Sequence, residues 1–242
     1  MAMQLVVYVN LEEPLVLPIN YHHILQAIIY DGLSITPDYS EFLHEIGYTR
    51  GQRQYKLFQF SQLEGPYQIR EKKIIFTSHV TFEVRSPEPL LIRLLGSAFW
   101  TNGIRFGKRA YMNIEMELYD YTIENTDLLI CMKSPIIVYE TDLERGETHY
   151  ISPDDTRFYQ LISHNFFRKY EAYYGVSPCS DIEINLAGNH KIKKYVTRYQ
   201  GSYLTGWYGT YRLSGERKYL DFLYQSGLGS KNAQGFGMFE VL

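Results

Sequence analysis

The sequence has little cysteine, no long apolar run and no large excess of either charge. Its 242 residues include only two cysteines, Cys131 and Cys179. Because they match no metal-binding or redox spacing, we expect reduced thiols in a cytoplasmic protein. No apolar stretch approaches the ~18–20 residues of a membrane-spanning helix, and the first residues lack the basic segment of a signal peptide. These absences favour a folded cytoplasmic protein without a membrane segment.

Residue types that bind metals or nucleotides are present but lack the necessary spacing. The acidic residues are scattered, and His22 and His23 are neighbours on a predicted helix, so they do not face a common ion. The sequence therefore predicts no metal site and no cofactor. It contains no G-x-x-x-x-G-K-[ST] phosphate loop, and too few residues follow Gly237 for a βαβ unit, which excludes a dinucleotide-binding fold.

Charge is distributed unevenly along the chain, although the net charge is only −3. Residues 114–159 hold eleven acidic side chains and three basic ones, whereas residues 186–242 hold eight basic and three acidic ones. Residues 85–113 hold five basic side chains and one acidic one. Phosphate binding depends on the charge of the local surface, so this distribution permits one face that binds nucleic acid.

Apolar periodicity and turn residues predict the order β-α-β-β-α-β in the first half of the chain. The predicted elements are a strand at Leu5–Val9, a helix from Asn20 to Leu33, a short helix from Thr36-Pro37, strands at Tyr55–Phe60, Tyr67–Arg70 and Lys73–Phe76, a helix from Ser86-Pro87, and a strand at Arg105–Leu118. This order is the ferredoxin-like arrangement, which many RNA-binding modules share.

The same order repeats after a polar, acidic junction at Asp120–Asp127. The predicted elements are strands at Leu128–Met132 and Ile136–Tyr139, a helix opened by a capping box at Ser152–Asp155, strands at Asp181–Leu186, Lys191–Tyr199 and Ser202–Leu213 with a turn at Gly188-Asn189, a helix from Gly215 to Ser226, and a strand at Gly235–Leu242. We therefore expect an α+β protein with two tandem ferredoxin-like (RRM-like) βαββαβ domains, residues 1–121 and 122–242.

A glycine-rich loop, residues 227–237, lies just before the last predicted strand. It reads Gly-Leu-Gly-Ser-Lys-Asn-Ala-Gln-Gly-Phe-Gly. Glycine reaches backbone angles that a Cβ forbids, so the loop can turn N–H groups inward and, with its lysine, suit an anion such as phosphate. A helix C-cap at Gly227 followed by a loose turn is the alternative. The candidate binding residues of this loop are Gly227, Gly229, Lys231, Asn232, Gly235 and Gly237.

In the first two predicted helices, a few side chains point away from the predicted core. At ~100° per residue, His23, Gln26 and Tyr30 lie opposite the apolar stripe of the first helix. His44 lies off the apolar side of the second helix. RNA can be cut without metal when its 2′-hydroxyl attacks the adjacent phosphate. This reaction needs an acid, a base and positive charge, for which histidine, tyrosine and lysine are suited. The residues alone do not select one combination among seven histidines and 23 tyrosines.

A family resemblance makes that selection. The glycine-rich loop resembles the signature loop of the repeat-associated RNA-binding (RAMP) superfamily of CRISPR systems. The closest likeness is to the CRISPR-associated endoribonucleases that cut repeat RNA, the "Cas six" family. Four further segments are similar to that family in the same order: Leu17–Asn20, Leu25–Tyr30, Phe42–Glu45 and Lys56–Phe58. Residues 90–200 match only in their predicted fold.

The resemblance implies a metal-independent endoribonuclease that cleaves CRISPR repeat transcripts to mature guide RNAs. It implies 2′,3′-cyclic phosphate and 5′-hydroxyl ends, with His44 as the general acid–base residue and Tyr30 and Lys56 in support. Arg50, Arg53 and His23 remain alternatives for one of these roles.

Repeat RNA, as precursor CRISPR RNA, is the implied partner. Further CRISPR-associated proteins and a second copy of this chain remain open as partners. The predicted backbone contacts lie in two basic segments: Arg105, Lys108 and Arg109, and Lys191, Lys193, Lys194 and Arg198. The alternative functions are a subunit that binds repeat RNA without cutting it, and a structural or partner-binding protein whose glycine-rich loop is only a hairpin.

Overall fold

The computed structural model describes residues 3–34, 36–142, 144–188, 191–199 and 201–242, with the backbone but not the side chain of His44. The helices are α1 (His22–Leu33), α2 (Pro37–Glu41), α3 (Pro89–Asn102), α4 (Arg157–Tyr174) and α5 (Arg217–Ser226), with a π-helical turn at Phe42–Ile46 and a 3₁₀ turn at Asn232–Gln234. The strands of the first half are β1 (Met3–Asn10), β2 (Leu15–Pro18), β3 (Tyr48–Arg50), β4 (Arg53–Tyr55), β5 (Gln59–Phe60), β6 (Tyr67–Arg70), β7 (Lys73–Phe76), β8 (His79–Ser86), β9 (Ile104–Phe106), β10 (Arg109–Tyr111) and β11 (Ile114–Asp120). Those of the second half are β12 (Asp127–Met132), β13 (Tyr139–Asp142), β14 (Glu147–Tyr150), β15 (Glu183–Leu186), β16 (Lys193–Tyr199), β17 (Ser202–Tyr208), β18 (Thr210–Ser214) and β19 (Phe239–Val241).

The first domain is an antiparallel sheet in the order β11-β1-β8-β5, covered by α1 and α3. Alternate residues of β1 are buried, and Val7 lies opposite Met116 of β11 and Phe82 of β8. The two helices approach closely at Gly32, where an added Cβ would lie 2.9 Å from atoms of both Leu95 and Phe99. The first, second, third and fourth core strands therefore stand in the ferredoxin-like order 4-1-3-2.

The third core strand, β8, is the element that the sequence prediction missed. Lys73–Phe76, predicted in its place, instead pairs with β2 and β6 in a separate three-stranded sheet. Glu83 and Arg85 of β8 are only 5% and 2% exposed, because that face of the sheet is covered by the second domain. Arg85 pairs with Glu83 and donates to the carbonyl of Phe239 in β19 at 2.7 Å. Val80, Phe82 and Val84 alternate with polar residues, which is a strand pattern that the prediction did not use.

The second domain repeats the arrangement, with the sheet order β15-β18-β12-β19 and with α4 and α5 packed against it. Ile130 of β12 lies opposite Tyr211 of β18 and Val241 of β19. The core between sheet and helices is rich in aromatic side chains. These are Phe158, Phe166, Tyr211, Tyr219 and Phe222. The prediction of two tandem ferredoxin-like domains is confirmed, and the boundary at residues 121 and 122 stays a prediction.

Two hairpins are inserted into the second domain, β13–β14 before α4 and β16–β17 between β15 and β18. The strand predicted at Ile136–Tyr139 begins only at Tyr139, and Ile136 and Ile137 form single bridges instead. The turn predicted at Gly188-Asn189 lies partly outside the described residues.

The capping box predicted at Ser152–Asp155 is wrong. The helix α4 begins at Arg157, and the side chain of its N-cap residue, Thr156, makes no capping hydrogen bond. The Asp155 carboxylate instead accepts from the backbone N–H of Arg157 at 2.9 Å and pairs with its guanidinium. The polar side chains before α4 therefore form hydrogen bonds in the turn that precedes the helix.

The glycine-rich loop belongs to the second domain and packs against the first domain. An added Cβ at Gly235 would lie 2.6 Å from the ring of Phe60 in β5, so only glycine allows this contact. Next to it, Gln59 donates from Nε2 to the carbonyl of Tyr224 at 2.7 Å. In the described part of the chain, no helix is both long enough and apolar enough to cross a membrane.

Candidate active site

A cleft of about 510 Å³ is lined by residues of both domains. The first domain contributes α1 and the residues around β4, and the second contributes β13, α4 and the glycine-rich loop. Four cationic side chains line the cleft, and none of its described lining residues is a carboxylate. The four are Arg53, Lys56, Lys169 and Lys231. This charge suits an anionic ligand such as a nucleic-acid phosphate.

One face of α1 docks against the glycine-rich loop. His22 and Gln26, one helical turn apart, contact the carbonyls of Gln234 at 3.2 Å and Ala233 at 2.7 Å, respectively. Tyr30 is the next residue on this face. Two backbone carbonyls of the loop thus fix the helix that brings Tyr30 into the cleft.

Tyr30 is partly buried at the cleft wall. Its ring meets that of Phe58 edge to face, with centroids 5.7 Å apart. Burial raises the pKa of Tyr30 to about 12, so its hydroxyl is protonated at neutral pH. A protonated tyrosine can donate a hydrogen bond and orient a substrate oxygen, but it is a poor general base.

The predicted catalytic residue His44 lies in the π-helical turn Phe42–Ile46, and its side chain is outside the described part of the structure. The turn closes with a hydrogen bond from the Gly47 N–H to the Phe42 carbonyl at 2.6 Å. Such π-helical turns are rare and are frequent at functional sites. The role of His44 therefore stays a prediction.

Lys56 lies against the end of that turn. Gly47 has a φ of +63°, and a Cβ there would lie 2.6 Å from the Tyr55 carbonyl and 3.3 Å from Cδ of Lys56. The intervening residues form the β3–β4 hairpin, in which Tyr48 pairs with Tyr55. The hairpin brings its two ends together, so the segment that carries His44 adjoins Lys56. Burial lowers the pKa of Lys56, and the charge of Glu45 opposes that shift.

The three alternatives to Lys56 occupy different positions. Arg50 forms an ion pair with Glu171 of α4. Arg53 lines the cleft. His23 is exposed, and its Nδ1 lies 2.8 Å from the Asn20 carbonyl. Of the three, Arg53 alone is among the cleft-lining residues.

The glycine-rich loop uses most of its backbone N–H groups inside the protein. Six of them donate to backbone carbonyls, and they belong to Gly227, Leu228, Ser230, Gln234, Gly235 and Gly237. The glycines serve close packing: an added Cβ at Gly237 would lie 2.0 Å from the Leu228 carbonyl. The predicted RNA contacts at Gly227, Gly235 and Gly237 therefore lack a spare N–H donor, whereas Gly229 lies at the cleft.

Asn232 and Lys231 have different surroundings in this loop. The Asn232 side-chain amide donates to the carbonyls of Leu228 and Phe236, both at 3.0 Å, and so holds the loop in shape. Lys231 has a φ of +64°, and its Nζ lies 5.5 Å from the ring centroid of Tyr139. Burial lowers the pKa of Lys231. Of the two, Lys231 is the one placed to meet an anion.

A family model described as "CRISPR associated protein Cas6, C-terminal" matches residues 116–241. This chain belongs to the Cas6 family. It is 28% identical over 232 residues to the CRISPR-associated endoribonuclease Cas6 of Pyrococcus furiosus, covering 93% of this chain and 83% of the relative. It is 24% identical over 233 residues to the CRISPR-associated endoribonuclease Cas6 1 of Methanocaldococcus jannaschii, covering 92% and 86%. A solved structure described as an RAMP protein binding different RNA substrates has a TM-score of 0.83 and 21% identity, with 100% of both chains covered.

Sequence reasoning missed one of the four cationic residues that line this Cas6 cleft, Lys169. Its side chain is 2% exposed, at the end of a buried stripe of α4 that also holds Phe158, Ile162 and Phe166. The signal was present in the sequence, because a lysine at helical spacing within an apolar stripe is either paired or functional.

The seven predicted RNA contacts of the two basic segments lie outside the cleft of this Cas6 chain, whereas Lys231 lines it. The β9–β10 hairpin carries Arg105, Lys108 and Arg109, and Arg109 pairs with Glu13. The second segment, Lys191–Arg198, is mainly in the β16–β17 hairpin, which docks on the start of α1 through a hydrogen bond from Thr197 to Asn20 at 3.1 Å. Lys191, Lys193, Lys194 and Arg198 are exposed. Both groups stay predicted RNA contacts.

Among the described residues, no group of three or more histidine, cysteine, aspartate or glutamate side chains could hold a metal ion. The metal-independent reaction remains a prediction.

Proposed function

We propose that this chain is an endoribonuclease that cleaves CRISPR repeat RNA in the cleft between its two domains. The observation that carries the proposal is the meeting of Tyr30, Lys56 and the glycine-rich loop at one cationic cleft, with the end of the turn that carries His44 next to Lys56. Its Cas6 relatives are named as endoribonucleases. Precursor CRISPR RNA is the substrate that we assign to it.

The reaction is a transesterification within the RNA. The 2′-hydroxyl loses its proton and forms a bond to the adjacent phosphorus, while the bond from phosphorus to the 5′-oxygen breaks. The leaving 5′-oxygen takes up a proton. The products are a 2′,3′-cyclic phosphate and a 5′-hydroxyl, and no water or metal enters this balance.

The residues of the cleft have separate roles in this proposal. His44 transfers the protons, because an imidazole titrates near neutral pH. Tyr30, protonated at neutral pH, donates a hydrogen bond that orients the reacting oxygen. Lys56 offsets the negative charge that develops on the phosphorane, and partial burial strengthens that interaction relative to water.

The exposed basic hairpins hold the RNA backbone outside the cleft. Their charges attract phosphates without base specificity, so they contribute affinity and salt dependence. We assign the protein to the cytoplasm, supported by its two unpaired cysteines, Cys131 and Cys179.

The test is incubation of cognate repeat RNA with wild type and His44→Ala in EDTA, with analysis of the RNA ends. We expect wild type alone to produce the 2′,3′-cyclic phosphate, while both proteins bind RNA. His149→Ala is the matched control, because His149 is an exposed histidine on β14, and it should cut normally.

Each other outcome has a distinct meaning. Loss of wild-type cleavage in EDTA, restored by a divalent cation, would contradict the metal-independent reaction. Binding without cleavage by wild type would favour the alternative function, a repeat-RNA-binding subunit that does not cut. Equal cleavage by His44→Ala would remove His44 from the site.

A further inference from the structure

Lys169 of α4 is a buried cation directly beneath the glycine-rich loop. Its Nζ donates to the carbonyl of Gly227, lies 3.5 Å from the carbonyl of Ser226, and lies 3.2 Å from Oδ1 of Asn232. These three acceptors match the three N–H donors of an ammonium group. Since Asn232 in turn holds two loop carbonyls, Lys169 and Asn232 form one network that fixes the loop.

All three oxygens around the Lys169 ammonium are neutral. The titratable groups that share its cleft are Tyr30 of α1, Tyr55 and Lys56 at the end of β4, Arg53, Tyr139 of β13 and Lys231. No carboxylate is among the described residues of the cleft wall. The nearest acid along α4, Glu171, is paired with Arg50. Asp221 of α5 accepts from the backbone N–H of Ile123.

A buried cation without a counter-charge is unfavourable, and an apolar side chain would fill the same space at lower cost. Burial lowers the pKa of Lys169 to about 7. The position therefore makes physical sense if an anion enters the cleft during function.

We propose that Lys169 is a positioning residue of the cleavage site, which fixes the glycine-rich loop and takes its counter-charge from an RNA phosphate bound in the cleft. This proposal depends on one part of the proposed function, which is that RNA binds in this cleft. Lys169 acts through the loop and through its charge, without a proton transfer to the reacting atoms.

A consequence is proton uptake when RNA binds. The free protein holds Lys169 largely neutral at pH 8, because that pH is above its pKa of about 7. A nearby phosphate favours the charged form and raises the pKa. Binding at pH 8 should then take up on the order of half a proton or more, and affinity should fall as pH rises, by up to about tenfold per pH unit.

The experiment is titration calorimetry of RNA binding at pH 8, in two buffers that differ in ionisation enthalpy. The RNA is the repeat with a 2′-deoxyribose at the mapped cleavage position, so that no cleavage contributes. Wild type is compared with Lys169→Met, which keeps the length of the side chain and removes the charge. Lys218→Met is the matched control, because Lys218 is an exposed lysine on α5.

We expect proton uptake by wild type and by Lys218→Met, and its loss in Lys169→Met together with a weaker pH dependence of affinity. RNA binding with no uptake by wild type, or with equal uptake by Lys169→Met, would overturn the inference and leave the proposed function standing. Failure of wild type to bind RNA would overturn both.

A purely structural role is distinguished by a second pair of variants. Thermal unfolding first establishes which variants are folded. Lys169→Arg, which retains a cation, should keep the affinity at pH 8 better than Lys169→Gln, which retains donors without charge. Equal affinity of these two folded variants across pH 6–9 would contradict a role for the charge.

Discussion

Three cations of the cleft, Lys56, Lys169 and Lys231, are more buried than those of the two basic hairpins, β9–β10 and β16–β17. In the cleft, Lys169 is buried, and burial lowers the pKa of Lys56 and Lys231. On the hairpins, residues such as Lys194 are exposed. Buried charge is costly to maintain and interacts strongly, whereas exposed charge is screened by salt. The cleft is therefore suited to act on one phosphate, and the hairpins are suited to attract many.

The largest expected effect is on the free energy of unfolding, and it differs between a glycine of the cleft loop and a glycine of an exposed hairpin. Gly237→Ala should destabilise the fold by about 4 kcal/mol or more, because a Cβ there meets the Leu228 carbonyl at 2.0 Å and φ is +80°. Gly107→Ala in the β9–β10 turn has a positive φ but no atom within 4 Å of the added Cβ. This substitution should lower the free energy of unfolding by only about 1 kcal/mol. Denaturant unfolding measures both, and equal losses would contradict the packing role of the loop.

The next effect concerns the contact between α1 and the loop. Burial lowers the pKa of His22 from 6.5 to about 4. The unfolded chain therefore binds a proton between pH 6.5 and pH 4 that the folded protein excludes, so stability falls as pH decreases through this window. The loss should reach about 3 kcal/mol, measured by denaturant unfolding across pH.

His22→Phe should flatten this acid-dependent loss of stability. His23→Phe is the matched control, because His23 is the exposed neighbour on the same helix. An unchanged pH dependence in His22→Phe would show that His22 is not the group responsible.

A smaller effect is expected for the second basic hairpin. Lys191→Glu with Lys193→Glu should weaken RNA binding about tenfold or more and reduce the slope of log affinity against log salt by about 1.5. The cleavage rate at saturating RNA should remain unchanged. Filter binding over a range of salt, with single-turnover cleavage, measures these effects; unchanged affinity would remove this surface from the RNA path.

The smallest effect is expected at the first basic hairpin. Arg109→Gln should change RNA affinity by less than about twofold, because Arg109 already pairs with Glu13 at an exposed site. The same binding assay measures it. A loss as large as that of the Lys191 and Lys193 double variant would show that Arg109 leaves Glu13 to contact the RNA backbone.

The sequence predicted the fold class because apolar periodicity is a local property. It missed β8, although the alternation of apolar and polar residues there is a strand pattern. No local pattern shows that the second domain covers Glu83 and Arg85 on the polar face of this strand. Helical spacing placed Tyr30 opposite the apolar stripe, and the structure has it partly buried, with its ring against Phe58 at the edge of the core. It could not show that the same helix face meets the loop at Gln234, 212 residues after His22.

The loop itself shows the limit of motif reasoning. Its glycines suggested N–H groups directed at an anion, but six loop N–H groups are bonded to carbonyls of the protein. Two of these partners, Ile137 for Ser230 and Pro135 for Gly237, come from distant sequence. Lys169 was missed although its spacing on α4 is a local signal, because its acceptors are in and beside the loop.

The most direct test compares one cation from each region by single-turnover cleavage at saturating RNA. Lys56→Gln represents the cleft and Lys193→Gln the exposed β16–β17 hairpin. We expect Lys56→Gln to lower the rate by about 10²-fold or more, with Lys193→Gln close to wild type once RNA is saturating. A normal rate for Lys56→Gln, or an equal loss in both variants, would contradict the assignment of the chemistry to the cleft.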